Sequence, residues 1–399
     1  MKVDYRRTLL LGFGFFGISL IWSVYNSYVP IFLRSYQLPL WLVGLIMTFD
    51  NIAGVTIQPY VGFLSDRTQT RFGRRMPFLM IGAPIAAVFF ALIPIVHASM
   101  RAFALLMGVI IIMNFAMAIF RTPTVALMPD ITPSPLRSKA NGIINLMGGL
   151  GTTMAFLGGA LLYRMNTSLP FLVASVFMLI ATAIVVAVIR EPRAVVGGSA
   201  SGPGVLATVR EIVASQEKSA LFILLAIFAW FVGFNALETF WTTYGKEYLG
   251  IAESSAAAML TYVSAAFLVF SLPAGFIATR FGRRRTIQAG LLLLGAFILG
   301  GYFTTNMLYL MLMLVVAGIA WALININSFP MVSDIAPPDR IGSYTGLYYF
   351  SSMLAAITAP PLVGGLMDFF GHRTMFLFST LFIALAIVCM SQVRRGEAH

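Results

Sequence analysis

The sequence predicts an all-α membrane protein of twelve transmembrane helices, arranged as two pseudo-symmetric six-helix bundles. Three observations lead there: a composition too apolar for an aqueous surface, twelve apolar runs of spanning length, and a pair of loop motifs that recur half a chain apart. The 399 residues are 59% hydrophobic and only 10% charged, with a mean hydropathy of +0.90, whereas a soluble domain carries about 25% charged residues. So few charges cannot cover a surface that faces water. Spans of about 20 residues each, with short loops, leave room for twelve in this length.

Apolar runs bounded by charge or by Gly and Pro fall near 8–33, 40–64, 77–96, 102–128, 140–163 and 169–189, then near 219–244, 255–279, 286–305, 307–331, 342–366 and 373–392. Each is expected to be helical, because in lipid only a helix satisfies its own backbone. The loops then alternate sides. Twenty of the 26 Lys and Arg residues fall on one side, five on the other, and Arg121 lies within a span. The positive-inside rule therefore expects both termini in the cytoplasm and a multi-pass location in the cell (cytoplasmic or plasma) membrane. The first run is not followed by a small-residue cleavage site and reads as a first span rather than a signal peptide. Trp41 and Trp241, at expected outer ends, fit an interfacial belt. The net charge of +12 sits in short clusters between apolar runs, which argues against a nucleic-acid partner. The single cysteine, Cys389, lies inside the last run and excludes an internal disulfide.

Between spans six and seven a Gly- and Ser-rich stretch from Gly197 to Gly204 has the composition of a flexible linker. The expected organisation is an N-terminal bundle over 1–190, a cytoplasmic linker with a short surface helix over 191–218, and a C-terminal bundle over 219–399. The halves are repeats. Arg71, Phe72, Gly73, Arg74 and Arg75 recur as Arg280, Phe281, Gly282, Arg283 and Arg284. One cytoplasmic loop later Asp130, Ile131, Pro133, Arg137 and Gly142 match Asp334, Ile335, Pro337, Arg340 and Gly346. Parallel repeats of six spans joined by a linker are an architecture of secondary transporters. These arginines serve as orientation anchors on one reading. On the other they form a cytoplasmic gate, in which Asp66 and Asp130 pair with Arg74 or Arg75 and cap neighbouring helices.

The run Gly62, Phe63, Leu64, Ser65, Asp66 and Arg67, followed by Arg71 to Arg75 and Pro77, resembles the loop 2–3 signature of the major facilitator superfamily. Its expanded form is similar to that of glycoside/pentoside/hexuronide:cation symporters. Gly73 to Phe78, together with Pro123, Ala126, Leu127, Pro129, Asp130, Ile131, Pro133, Arg137, Lys139, Asn141 and Gly142, is similar to the sucrose/proton symporter branch and its bacterial relatives. The resemblance implies the major facilitator fold and alternating-access symport of a proton with a sugar, a disaccharide or another glucoside such as sucrose or maltose. The sodium-coupled melibiose branch carries acids at positions that match Ser19, Gly54, Gln58 and Arg121 here. A guanidinium inside a sodium cage would repel the ion, which argues against sodium coupling through that site. A proton-coupled exporter of drugs or metabolites on the same fold is the alternative. Such exporters usually carry a Gly-Pro pair in the span-five glycine motif, and Gly151 to Gly159 has none.

Three ionisable residues fall inside expected spans: Asp50 on span two, Arg121 on span four and Glu238 on span seven. Charge in hydrocarbon is costly, so each is expected to face a wet pathway and find a partner. One reading is a structural ion pair between Asp50 and Arg121. On the other, Asp50 carries the coupled proton, Arg121 either releases its charge partner or hydrogen-bonds the solute, and Glu238 is the alternative carrier. A sugar needs paired donors and acceptors with an apolar ring face. Span one offers Ser19, Trp22, Tyr25 and Asn26 on one face, spans two and four offer Asn51, Gln58 and Asn114, and spans seven and ten offer Asn235, Trp321 and Asn325. For each of these, helix-to-helix bonding or plain packing is the rival reading, and Asn327 is the weakest member. Gly148, Gly149, Gly151, Gly158 and Gly159 on span five, and Pro360, Pro361, Gly364 and Gly365 on span eleven, permit close approach and bending. His97, His372 and His399 are expected in loops or at the terminus, with no acid or cysteine cluster beside them. No catalytic residue, metal site or cofactor is expected, and neither is an enzyme. The expected partners are the sugar, protons and the lipid bilayer, with the protein a monomer.

Overall fold

In lipid each backbone N–H and C=O must find its partner inside the chain, and long helices do that at every position except their ends. The computed structural model describes residues 5–99, 102–131, 137–189, 191, 210, 212, 214–337 and 341–396; of 5–7, 66, 129, 137–142 and 341–342 it describes the backbone alone. Among them are thirteen long helices. In the first half they are α1 Tyr5–Arg34, α2 Leu40–Met47, α3 Phe49–Arg67, α4 Met76–Ser99, α5 Phe103–Ile131, α6 Arg137–Met165 and α7 Leu169–Val188. In the second half they are α8 Ser219–Glu247, α9 Glu253–Phe281, α10 Arg283–Phe303, α11 Met307–Ile335, α12 Ile341–Phe370 and α13 Thr374–Gln392. They make twelve stretches long and apolar enough to cross a membrane, with α2 and α3 together forming the second. The protein is an all-α membrane protein of twelve transmembrane helices.

Span two, one run in the sequence, is interrupted at Thr48, beside the polar Asp50 and Asn51. Thr48 ends α2 with φ −90° and ψ −2°, its hydroxyl donating to the Leu45 carbonyl at 2.7 Å, and α3 starts at the next residue. A hydroxyl that bonds back to the preceding turn competes with the helical ladder and bends the helix. The break places Asp50 in the first turn of α3, where the positive end of the peptide dipoles favours a carboxylate.

The described residues form two compact units. Unit 1 comprises Met1–Gln37, Phe49–Val196 and Ile251–Thr261; unit 2 comprises Leu38–Thr48, Gly197–Gly250 and Tyr262–His399. Two short segments thus group with the half to which they do not belong in sequence, α2 with unit 2 and the start of α9 with unit 1. Most of the expected linker and surface helix lies outside the described residues; Arg210, Ile212 and Ala214 have helical backbone.

Within each unit, close packing rests on small residues. In unit 1, α1 packs along α6 and α7, and a Cβ at Gly151 would stand 2.5 Å from the Phe16 carbonyl oxygen. In unit 2, a Cβ at Gly318 of α11 would stand 2.3 Å from the Val263 carbonyl oxygen of α9. Without a hydrophobic force between helices in lipid, such contact of backbone on backbone is what dispersion can supply. Two expectations need correction. Trp241 is fully buried, because its ring packs beside Tyr244 at 5.9 Å and not in an interfacial belt. His97 lies in the last turn of α4, stacked on Phe32 with ring centroids 4.4 Å apart, and not in a loop.

The packing gives a test of stability. Gly318→Ala forces α9 and α11 apart and is expected to destabilise the protein by about 1–3 kcal/mol, seen as a lower thermal midpoint in detergent. Gly275→Ala, whose added methyl meets nothing within 4 Å, is expected to leave that midpoint unchanged or slightly higher.

Candidate functional site

Polar groups inside apolar helices are expensive, so where they gather is informative. In unit 1 they gather around the start of α3. Asn51 donates from Nδ2 to the Asp50 carboxylate at 2.8 Å, and Arg121 of α5 is close enough for its charge to act on Asp50. One helix away, Trp22 and Tyr25 meet edge to face at 5.5 Å, and Asn114 reaches the Tyr25 hydroxyl at 3.5 Å while donating to the Ile110 carbonyl at 2.9 Å. The Trp22 indole N–H and the Asn114 side-chain oxygen are buried with no hydrogen-bond partner. A buried polar atom without a partner carries a desolvation penalty, the usual mark of a place where a solute or water bonds. Asn26, Gln58 and Ser19 are half-buried, and a Cβ at Gly148 would stand 3.1 Å from the Ser19 hydroxyl, which puts Ser19 at the α1–α6 contact.

Unit 2 divides its polar residues differently. Glu238 of α8 is half-buried and has no hydrogen-bond or ion-pair partner among the described residues. The side-chain nitrogen of Asn235, one turn before it, is likewise buried and without a partner. Trp321 is stacked on Phe234 at 3.9 Å and meets Phe231 edge to face at 5.1 Å, so most of its ring surface is taken up by packing. Asn325 accepts from the Tyr348 hydroxyl at 3.3 Å, and Ser328 lies 3.1 Å from that hydroxyl. Tyr348 was not singled out in the sequence; its hydroxyl in a span was the available signal. Asn327 donates to the Ala274 carbonyl of α9 at 3.3 Å and to Leu323 at 2.9 Å, so it bonds helix to helix.

The repeated arginine loops hold the next group. Gly73 has φ +116°, in the left-handed region that favours glycine, and a Cβ there would meet the Glu191 carboxyl at 2.7 Å. This turn aims the N–H groups of Arg74, Arg75 and Met76 at the Glu191 carboxylate, at 2.8, 2.9 and 2.9 Å. The N-terminus of α4 is thereby capped from a distant residue, one that the sequence reading missed. The two guanidiniums converge on Asp130 of α5, Arg74 at 2.6 Å and Arg75 at 2.5 Å, and Arg75 also donates to Ser65 at 3.0 Å. Unit 2 repeats the plan with Gly282 at φ +90° and Arg283 paired with Asp334. There Arg284 turns instead to the Ser391 carbonyl at 2.6 Å. Arg71 lies over the Phe72 ring and Arg280 over Phe281, at 4.7 and 5.5 Å. The side chains of Asp66 and Arg137, and all of Arg340, lie outside the described residues. No group of three or more metal-ligating side chains occurs among the described residues.

Known proteins share sequence and fold with this chain. The family profile described as MFS/sugar transport protein matches residues 10–341. The chain is 28% identical to the General alpha-glucoside permease of Schizosaccharomyces pombe over 179 residues, 42% of this chain and 32% of that one. It is 29% identical to Proton-associated sugar transporter A of Homo sapiens over 169 residues, 40% of this chain and 23% of that one. Sucrose transport protein SUT3 of Oryza sativa subsp. indica is 25% identical over 293 residues, 62% of this chain and 56% of that one. The chain thus spans between about a quarter and just over half the length of these curated relatives. Among solved structures the fold is similar to that of the nucleoside transporter NupG, with a TM-score of 0.74, 16% identity and coverage of 97% and 99% of the two chains. It is similar as well to a bacterial homologue of the human lysosomal transporter Spinster, in its inward-facing and unoccupied conformation, with a TM-score of 0.74, 15% identity and 98% of each chain covered. With a match over most of its length, the chain belongs to the MFS/sugar transport protein family.

Proposed function

We propose that this chain is a secondary active transporter that carries a sugar, a disaccharide or other glucoside, together with a proton, across a cell membrane by alternating access. The observation that carries the reading is Asp50: a carboxylate in the first turn of a helix that starts inside a span, bonded by Asn51 and under the charge of Arg121. Burial disfavours the charged carboxylate, while the helix N-terminus, the amide and the guanidinium favour it. With these influences opposed, wetting or drying the site shifts a proton on or off. Arg121 donates to the solute when Asp50 is protonated and to Asp50 when it is not. The sugar ring lies on Trp22, with Asn26, Gln58 and Asn114 bonding hydroxyls, and the unpartnered indole and amide atoms supply unused bonding capacity. Glu238 with Asn235 is the second such place. Trp321, held between Phe231 and Phe234, shapes the path rather than receiving a ring face. The relatives named as proton-associated sugar, α-glucoside and sucrose transporters support the substrate class. The arginine loops face the cytoplasm on this reading, and the Asp130 and Asp334 networks steady that end.

The test is uptake of labelled maltose or sucrose into proteoliposomes under an inward proton gradient. Asp50→Asn is expected to lower gradient-driven accumulation tenfold or more while solute exchange without a gradient persists. If Asp50→Asn and Glu238→Gln each retain full accumulation, or if a cationic dye is expelled and no sugar enters, the symport reading fails. For the loop network, Asp130→Asn removes the common anion of Arg74 and Arg75. A charge-assisted hydrogen bond of about 1.5–3 kcal/mol is at stake, and the transport rate is expected to drop about tenfold with solute affinity in an equilibrium binding assay unchanged. An unaltered rate would remove these arginines from the cycle.

A further inference from the structure

At the end of the bundles opposite the arginine loops, two helix starts are held by side chains from distant spans. The first is α2. Pro39, at its N-cap, makes no side-chain capping bond. The Asp368 carboxylate, near the end of α12, takes that place: Leu40 N–H donates to one oxygen at 2.9 Å and Trp41 N–H to the other at 3.0 Å. Backbone meets backbone just below. A Cβ at Gly44 would stand 2.4 Å from the Pro360 carbonyl oxygen, and one at Gly364 would stand 2.5 Å from that of Leu40. The second is the start of α9. Arg164, near the end of α6, donates from Nε to Ser254 Oγ and from a terminal nitrogen to Ser255 Oγ, both at 3.3 Å, while the neighbouring Tyr163 hydroxyl bonds Glu253.

The two arrangements are one device used twice. The 204-residue spacing that separates Asp130 from Asp334 also separates Arg164 from Asp368, so the same position of the repeat, at the end of spans five and eleven, grips the first turn of spans eight and two. These gripped segments are also the ones that group with the opposite unit, Leu38–Thr48 and Ile251–Thr261. The first is bounded by two natural pivots, Gln37 with φ +59°, rare for a residue with a side chain, and the break at Thr48. A helix-start N–H and a serine hydroxyl both accept water as a substitute partner at a membrane surface, so each grip can release and re-form.

We infer that Asp368 and Arg164 are repeat-related clasps that set how far the equilibrium lies toward a state closed at this end, against a state open there. The inference rests on the transporter reading above but not on the identity of solute or ion. Asp368 and Arg164 touch neither; they position spans two and eight.

The experiment places spin labels at Thr167→Cys and Thr305→Cys, exposed loop positions at this end in units 1 and 2, with Cys389→Ser to leave no other thiol. Distances are recorded by pulsed electron–electron resonance in lipid nanodiscs without solute. The distribution with unmodified clasps sets the reference ratio of long to short populations. Asp368→Ala should raise the ratio of long to short populations about tenfold, the scale of losing a helix cap, and Arg164→Ala should shift it in the same direction. Asp368→Asn, which keeps its shape and one acceptor oxygen, should fall between. Identical distributions in all variants with thermal midpoints retained would overturn the inference, as would Asp368→Asn opening the end as fully as Asp368→Ala. A variant that fails to fold is replaced in the comparison by Asp368→Asn and Arg164→Lys, which must still order by bonding capacity. Because no solute is present, failed sugar uptake would leave this result standing, and a failed clasp would leave sugar uptake standing.

Discussion

A lipid bilayer gives no water to a carboxylate, a guanidinium or an open helix end, and the organisation of this protein follows from where those groups nonetheless occur. Asp50 and Arg121 are kept inside the spans and near each other. Such a pair adds little stability compared with apolar side chains of the same volume, so packing alone gives no reason for it. A break at Thr48 is the structural means: by ending one helix and starting another in mid-span, it turns an ordinary position into a helix N-terminus and gives Asp50 a dipole to work against. Charge, amide and helix start thus meet at Asp50.

The same economy appears at the helix ends. Four first-turn N–H groups of every helix lack a partner within it, and here the missing acceptors come from far along the chain. Glu191 caps α4 after span six, and Asp368 caps α2 from span eleven. Each long-range cap ties a helix start to an element that neighbouring sequence does not specify. Bonds of that kind can be exchanged for water at the membrane surface, in contrast with the mid-span seams at Gly151 and Gly318, where backbones touch and movement would open voids.

The twelve spans, their bounds within a few residues, and the repeat were legible in the sequence because they rest on composition and on local motifs. The arginine loops were legible too: the pairing of Arg74 and Arg75 with Asp130 follows from charges at two neighbouring helix ends. Glu191 was not, since its partners are three backbone N–H groups that no side-chain pattern announces. The break at Thr48 was not legible, because Thr48, Asp50 and Asn51 mark a polar spot in the span but carry no Gly or Pro to signal a helix end, and with it went the exchange of α2 into the other unit. Trp321 shows the converse limit. Its place on a face with Asn325 suggested a platform for a ring, whereas Phe231 and Phe234, two positions that read only as apolar, fill that face. Periodicity names the residues on a face but not what already occupies it.

The claim at the centre of this account is that solute and proton share one site. It is tested most directly by the heat of maltose or sucrose binding to the purified protein in buffers of different ionisation enthalpy, which reports protons exchanged on binding. The account predicts that sugar binding draws protons from the buffer at neutral to alkaline pH and that this exchange disappears in Asp50→Asn while binding persists. Sugar binding with no buffer dependence at any pH, in a protein that still accumulates sugar, would contradict it.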